Sequence, residues 1–251
     1  MTVPWSRSTA VRCWYRGHER GTLMFVAVPS RRRPSLRWAT PLLVLTSMLA
    51  FVWLASLEPA ARNEALLRWG TLSSGGLSGG DWRGAWSDAR LLSLVSAVFI
   101  HADWLHLLGN MLFLMIFGLP SERALGGIRF LLLFVICGAL ANLGAAELMD
   151  AADRLLIVGA SGAISALIAA FLVLFPQARL GFVLPLGLYL EFVRAPAWLL
   201  IGVWALLQGL FAYVGPAFGA VAWWAHLFGF GLGALVALLF RPAVARRLRE
   251  R

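Results

Sequence analysis

The sequence predicts an all-α membrane protein: a six-transmembrane-helix bundle whose fourth helix is short and central. Three observations carry this. Of 251 residues, 60% are hydrophobic and only 14% are charged, against roughly 45–50% and about 25% in ordinary globular domains. The mean hydropathy of +0.78 is concentrated in long blocks rather than in the short periodic stripes of a soluble core. The charges lie between those blocks. All 22 basic residues are Arg, and with both ends placed in the cytoplasm seventeen of them fall on the inner side of the blocks.

Six blocks qualify, at about 38–57, 103–119, 128–148, 161–175, 197–215 and 223–240. A straight helix needs about 20 residues to cross the hydrocarbon core. The fourth block, ending at Pro176, is therefore short, and fits only if other helices surround it and its end opens on a wet cavity. The domain carrying the blocks is 36–240. Residues 1–35 are basic, almost free of acids and broken by Pro4, Pro29 and Pro34, which reads as a poorly ordered cytoplasmic tail. An Arg-rich transit peptide, or a true start at Met24, fits the same stretch. Residues 241–251 read as a basic cytoplasmic tail.

The first connection, 58–102, is too long for a turn. It carries a Gly-Ser stretch at 72–80 together with Trp69, Trp82 and Trp86, and is expected to lie on and partly in the outer leaflet. The connection 216–222 is short and uncharged, suited to cover a cavity as a lid. The net charge of +10 is accounted for by Arg residues that flank spans, so nucleic acid is not an expected partner. Cys13 and Cys137 have neither metal-ligand spacing nor a plausible pairing. No metal and no cofactor are expected.

Three polar clusters sit inside or at the outer ends of spans, where hydrogen-bonding side chains point to function. The first, His101 to Asn110, opens the second span. On a helical wheel His106 and Asn110 are about 40° apart and can serve one site, whereas His101 lies about 140° from His106 and is expected to tie down the preceding loop. The second is Gly159-Ala160-Ser161-Gly162. Ser161 stands at a helix start, where unpaired N–H groups and the helix dipole favour an anion. In the third, His226 shares a helix face with Gly229 and Gly233, so small-residue packing against the fourth span would bring it near Ser161. A Ser hydroxyl, a base and donors for an oxyanion are the parts of acyl transfer.

These motifs, His101-x4-His106-x3-Asn110, Gly159-x-Ser161-Gly162 and Ala225-His226-x2-Gly229-x3-Gly233, resemble those of the rhomboid intramembrane serine proteases, over about residues 38–240. The resemblance implies a rhomboid-like bundle, with Ser161 as nucleophile and His226 as general base. It implies an oxyanion hole of His106, Asn110 and the Ser161 backbone N–H, with His101, Gly159, Gly162, Gly229 and Gly233 as structural motif residues. It implies cleavage of transmembrane segments of membrane-protein substrates, with no cofactor. A single span before the histidine motif suits the simple bacterial form, a multi-pass protein of the inner membrane.

Two positions depart from the family pattern. Where many members carry Trp-Arg, this chain has Leu92-Ser93, with Trp86 and Arg90 upstream. Where some members stack an aromatic on the catalytic histidine, it has Ser165. The alternative to a protease is a catalytically silent relative that binds and escorts membrane clients. Other readings are Ser161 as a helix cap, zinc held by His101, His106 and His226, or a small proton-relay transporter. The sequence sets neither the natural substrate nor the oligomeric state.

Overall fold

The computed structural model describes residues 37–73, 88–149, 155–186, 189–214 and 222–249. The basic tail 1–35, Trp82, Trp86, most of the Gly-Ser stretch, and the proposed lid up to Val221 lie outside these residues. Among them the chain is mostly helical, and four helical stretches are long and apolar enough to cross a membrane: Trp104–Leu125, Gly127–Leu148, Ala197–Val214 and Trp223–Val244. Two shorter apolar helices accompany them, Ala39–Ala55 (α1) and Ser161–Leu174 (α7).

The stretch 104–125 runs further than its sequence block. It comprises α4 (Trp104–Phe113), one π-helical turn (Leu114–Gly118) and α5 (Leu119–Leu125). Pro120 has no N–H to give the carbonyl one turn earlier, and the widened turn just before it absorbs that loss without breaking the helix. α6 (Gly127–Leu148) returns antiparallel. Between α1 and α4 the long connection folds into α2 (Pro59–Trp69) and α3 (Asp88–Ser96). Neither has the length or the uninterrupted apolar run that marks a span in sequence.

The centre of the bundle is α7. Every residue from Gly162 to Phe171 is buried, although its 14 residues reach only about 21 Å, short of the ~30 Å hydrocarbon core. It packs chiefly on α9 (Trp223–Arg249) and α6. Glycine makes the α7–α9 contact possible. A Cβ on Gly229 would stand 2.0 Å from the Gly162 carbonyl oxygen, and one on Gly233 would stand 2.1 Å from that of Ala166. The two backbones touch, as the small-residue face predicted.

α8 (Ala197–Val214) is held more thinly. Only Ala197, Ile201 and Gln208 are buried, while Leu206, Trp198 and Val203 are exposed. Before it, β3 (Arg179–Leu186) and β4 (Tyr189–Pro196) form an antiparallel hairpin in the register Arg179↔Pro196, which the helical reading did not anticipate. At the other end, α9 continues through Pro242 to Arg249, so helix extends over most of the basic segment 241–251.

The far end of α5 carries a buried acid. Glu122 is 2% exposed and accepts from the backbone N–H groups of Trp38, Ala39 and Thr40 and from the Thr40 hydroxyl, at 2.7–2.9 Å. α1 has no cap of its own at Trp38. Glu122 caps it from another helix, where a carboxylate meets the positive end of the helix dipole.

Candidate active site

Ser161 is the first residue of α7, and Ala160 occupies the cap position. The first intrahelical bond runs from the Ile164 N–H to the Ala160 carbonyl, 2.8 Å, so the N–H groups of Ser161 and Gly162 have no acceptor within the helix. Ser161 is therefore not a capping serine. The serine that bonds back to its own helix is Ser165, whose hydroxyl donates to the Ser161 carbonyl at 2.7 Å.

The turn before Ser161 is tied from three sides. β2 (Leu156–Ile157) pairs antiparallel with β1 (Thr71–Leu72), so the first long connection is stitched to this strand. The Gly159 N–H donates to the Ala97 carbonyl at 2.9 Å. Gly159 itself adopts φ +111°, and a Cβ there would lie 2.6 Å from His106 Cε1 and Nε2. Both the backbone conformation and the approach of the imidazole demand glycine.

His101 joins the end of the long connection to this turn. It is fully buried, with Nδ1 3.2 Å from the Phe99 carbonyl and Nε2 3.4 Å from the Ala160 N–H. An Nδ1–H donor and an Nε2 acceptor satisfy both bonds in the neutral ring. Burial, and the neighbouring His106, push its pKa down to about 4, consistent with that form. The helical-wheel separation of His101 from His106 does not apply, because α4 starts only at Trp104, behind an Asp103 cap that accepts from the His106 N–H at 2.8 Å. The two imidazoles meet edge to face, centroids 5.1 Å apart.

α4 supplies His106 and Asn110. Asn110 is 8% exposed and uses one amide hydrogen on the His106 carbonyl, 2.8 Å. A side-chain amide has two hydrogens, so one donor is left over. α9 supplies His226. Ser161, His226, His106 and Asn110 all line one cavity of about 240 Å³, with Ser165, Ile164, Ile168, Phe113 and Trp204 along its apolar side. No hydrogen bond joins Ser161 to His226 among the described residues. Of the motif glycines, Gly162, Gly229 and Gly233 lie at the α7–α9 contact, and Gly159 lies at the turn.

The vacancy left by Ser165 is filled from α8 and from the start of α9 itself. Trp204 faces the His226 ring at 6.4 Å between centroids, Trp223 meets it edge-on at 5.8 Å, and Gln208 Oε1 lies 2.6 Å from His226 Nδ1. Sequence reasoning looked for an aromatic one turn after Ser161 to hold His226, met Ser165 there, and passed over Gln208. The signal was present: an amide in an apolar span, on the face that carries Ile201, Trp204 and Phe211.

The other departure is also resolved. Arg90, on α3, forms an ion pair with Glu147 of α6 at 2.5 Å, and Asn142 of α6 donates to the Leu94 carbonyl at 2.9 Å. Together these seat the end of the long connection on α6. Among the described residues no group of three or more His, Cys, Asp or Glu side chains is arranged to hold a metal.

Residues 88–243 match the family model described as the Rhomboid domain. The chain is similar to the mitochondrial Rhomboid protein 1 of Saccharomyces cerevisiae, 32% identical over 166 residues, covering 64% of this chain and 45% of that protein. It is 31% identical over 144 residues to YdcA of Bacillus subtilis, named as a candidate rhomboid protease, covering 55% of this chain and 64% of that one. It is also 38% identical over 79 residues to RHOMBOID-like protein 5 of Arabidopsis thaliana, covering 32% and 25%. The matches thus span less than two thirds of each relative's length.

Proposed function

The chain belongs to the rhomboid family of membrane proteins, and from that premise we propose that it is an intramembrane serine endopeptidase that cleaves transmembrane segments of other membrane proteins. The observation that carries the reading is the cavity, in which Ser161, His226, His106 and Asn110 meet from three different helices. Ser161 Oγ attacks the scissile carbonyl, and His226 takes its proton and returns it to the leaving amine. The tetrahedral oxyanion forms against the free Asn110 hydrogen, His106 and the unpaired N–H of Ser161. Water then resolves the acyl-enzyme. A positioned base contributes about 10²–10⁴-fold in rate.

In this reading α1 and α7 cross with the four longer helices, giving six spans, and α7 is shortened so that Ser161 meets water below the membrane surface. The Arg-rich ends face the cytoplasm, and a bacterial inner membrane is the compartment. Substrate enters sideways, past the thinly packed α8.

The open Ser161–His226 pair favours a second reading, a silent relative that holds clients without cutting them. Catalytic hydrogen bonds are often long without substrate and tighten in the complex, so the peptidase reading is preferred. The test is cleavage of a single-span fluorescent reporter by purified protein in vesicles. Ser161→Ala and His226→Ala each abolish cleavage while retaining reporter binding; cleavage at the native rate by either variant contradicts the proposal, and binding without cleavage by the native protein favours the escort.

A further inference from the structure

Gln208 lines the cavity, and the Ser-His reading gives its amide no task. It sits within α8, 7% exposed, on a helix with few other buried residues. An unbonded amide at that depth would be costly, and its bond is made to His226: Oε1 lies 2.6 Å from Nδ1.

An amide oxygen can only accept, so the Nδ1–H of His226 is the donor and the lone pair of the neutral ring resides on Nε2. That is the form in which an imidazole can take a proton from a serine hydroxyl. The opposite form would set two lone pairs against each other across 2.6 Å. Trp204, one helical turn before Gln208, faces the ring, and Trp223 meets its edge. Hydrogen bond and ring contacts together fix both the protonated nitrogen and the ring plane. A carboxylate would do the first more strongly, but at the cost of a charge inside a span; the amide supplies the acceptor without one.

Resting on the peptidase reading above, we propose that Gln208 is a positioning residue, which holds His226 with Nδ1 protonated and Nε2 free to accept the Ser161 proton. α8 thereby sets the catalytic histidine.

The test uses the full chain in detergent micelles, with Gln208→Met, which keeps length and loses the acceptor, and Gln208→Glu, which keeps an acceptor oxygen in either protonation state. With the fluorescent reporter, Gln208→Met lowers kcat about 10²-fold, the low end of what a positioned base contributes, with KM and melting temperature unchanged, and Gln208→Glu restores most of the turnover. Nitrogen-15 spectra of histidine-labelled protein, assigned with His226→Ala, show His226 in the Nδ1–H form in the native chain and a mixture in Gln208→Met. Native kcat in a folded Gln208→Met, equal losses in both variants, or a native His226 in the Nε2–H form would overturn the proposal. If the native chain neither cleaves nor reacts with a fluorophosphonate while His226 holds the Nδ1–H form, it is the peptidase reading that falls and the hydrogen-bond assignment that stands.

Discussion

Two buried polar sites occupy opposite ends of the helical stretch 104–125, His106 and Glu122 being about 24 Å apart along its axis. At one end Glu122 accepts four hydrogen bonds and has nothing left to offer. At the other, Asn110 spends one hydrogen of two, the Ser161 N–H has no partner in its helix, and the residues open on a cavity. Both sites bury polar groups that an apolar surrounding penalises. The difference lies in what is left over. Complete satisfaction marks a structural joint, here the docking of α1, whereas unused donors facing a cavity mark a place where a reacting group can be received.

Substitutions can break or sharpen this contrast. The largest effect belongs to the open end: Asn110→Ala lowers kcat by about 10²–10³-fold, or ~2.7–4 kcal/mol in the transition state, with no change in thermal unfolding, as read from reporter kinetics and a melting curve on one preparation. The satisfied end behaves in the opposite way. Glu122→Ala strands the N–H groups that open α1 and costs about 2–4 kcal/mol of stability, seen as a lower denaturant midpoint, while turnover per folded molecule is unchanged. A fall in turnover there would dissolve the distinction.

The smallest effect concerns His101, which lies at the open end but is bonded like Glu122. Its pKa falls from 6.5 unfolded to about 4 folded, mainly through burial, so between those values the unfolded chain binds more protons and stability decreases as pH drops. Above pH 6.5 its contribution is complete and flat. Melting temperature measured from pH 7 to 4 should show this slope, reduced in His101→Asn.

Long elements with strong composition were legible in the sequence. The six apolar blocks begin within two residues of α1, the stretch 104–125, α6, α7, α8 and α9, although the stretch 104–125 and α9 run on past their blocks, and Gly229 and Gly233 do meet α7. So were the residues that gather at the cavity, because a polar side chain in an apolar run stands out. What depends on contacts between distant segments was not. Nothing beside Glu122 in sequence marks it out, and only its three-dimensional neighbourhood makes it the cap of α1. Arg90 and Glu147 are 57 residues apart and gave no local sign of pairing. The β1–β2 stitch has two residues per strand, too few for any periodicity, and the β3–β4 hairpin lies between the fourth and fifth apolar blocks, where only helical spans were sought. Gln208 was visible but unweighted, since what was sought to hold His226 was an aromatic at the position of Ser165, on another helix.

In the proposed peptidase Ser161 is a nucleophile held ready among unused hydrogen-bond donors. This role is tested most directly by treating the native chain in membranes with a fluorophosphonate probe and locating the adduct by mass spectrometry. One adduct is expected, on Ser161, lost in Ser161→Ala and strongly slowed in His226→Ala. No adduct on the native chain, or one that persists in Ser161→Ala, would contradict it.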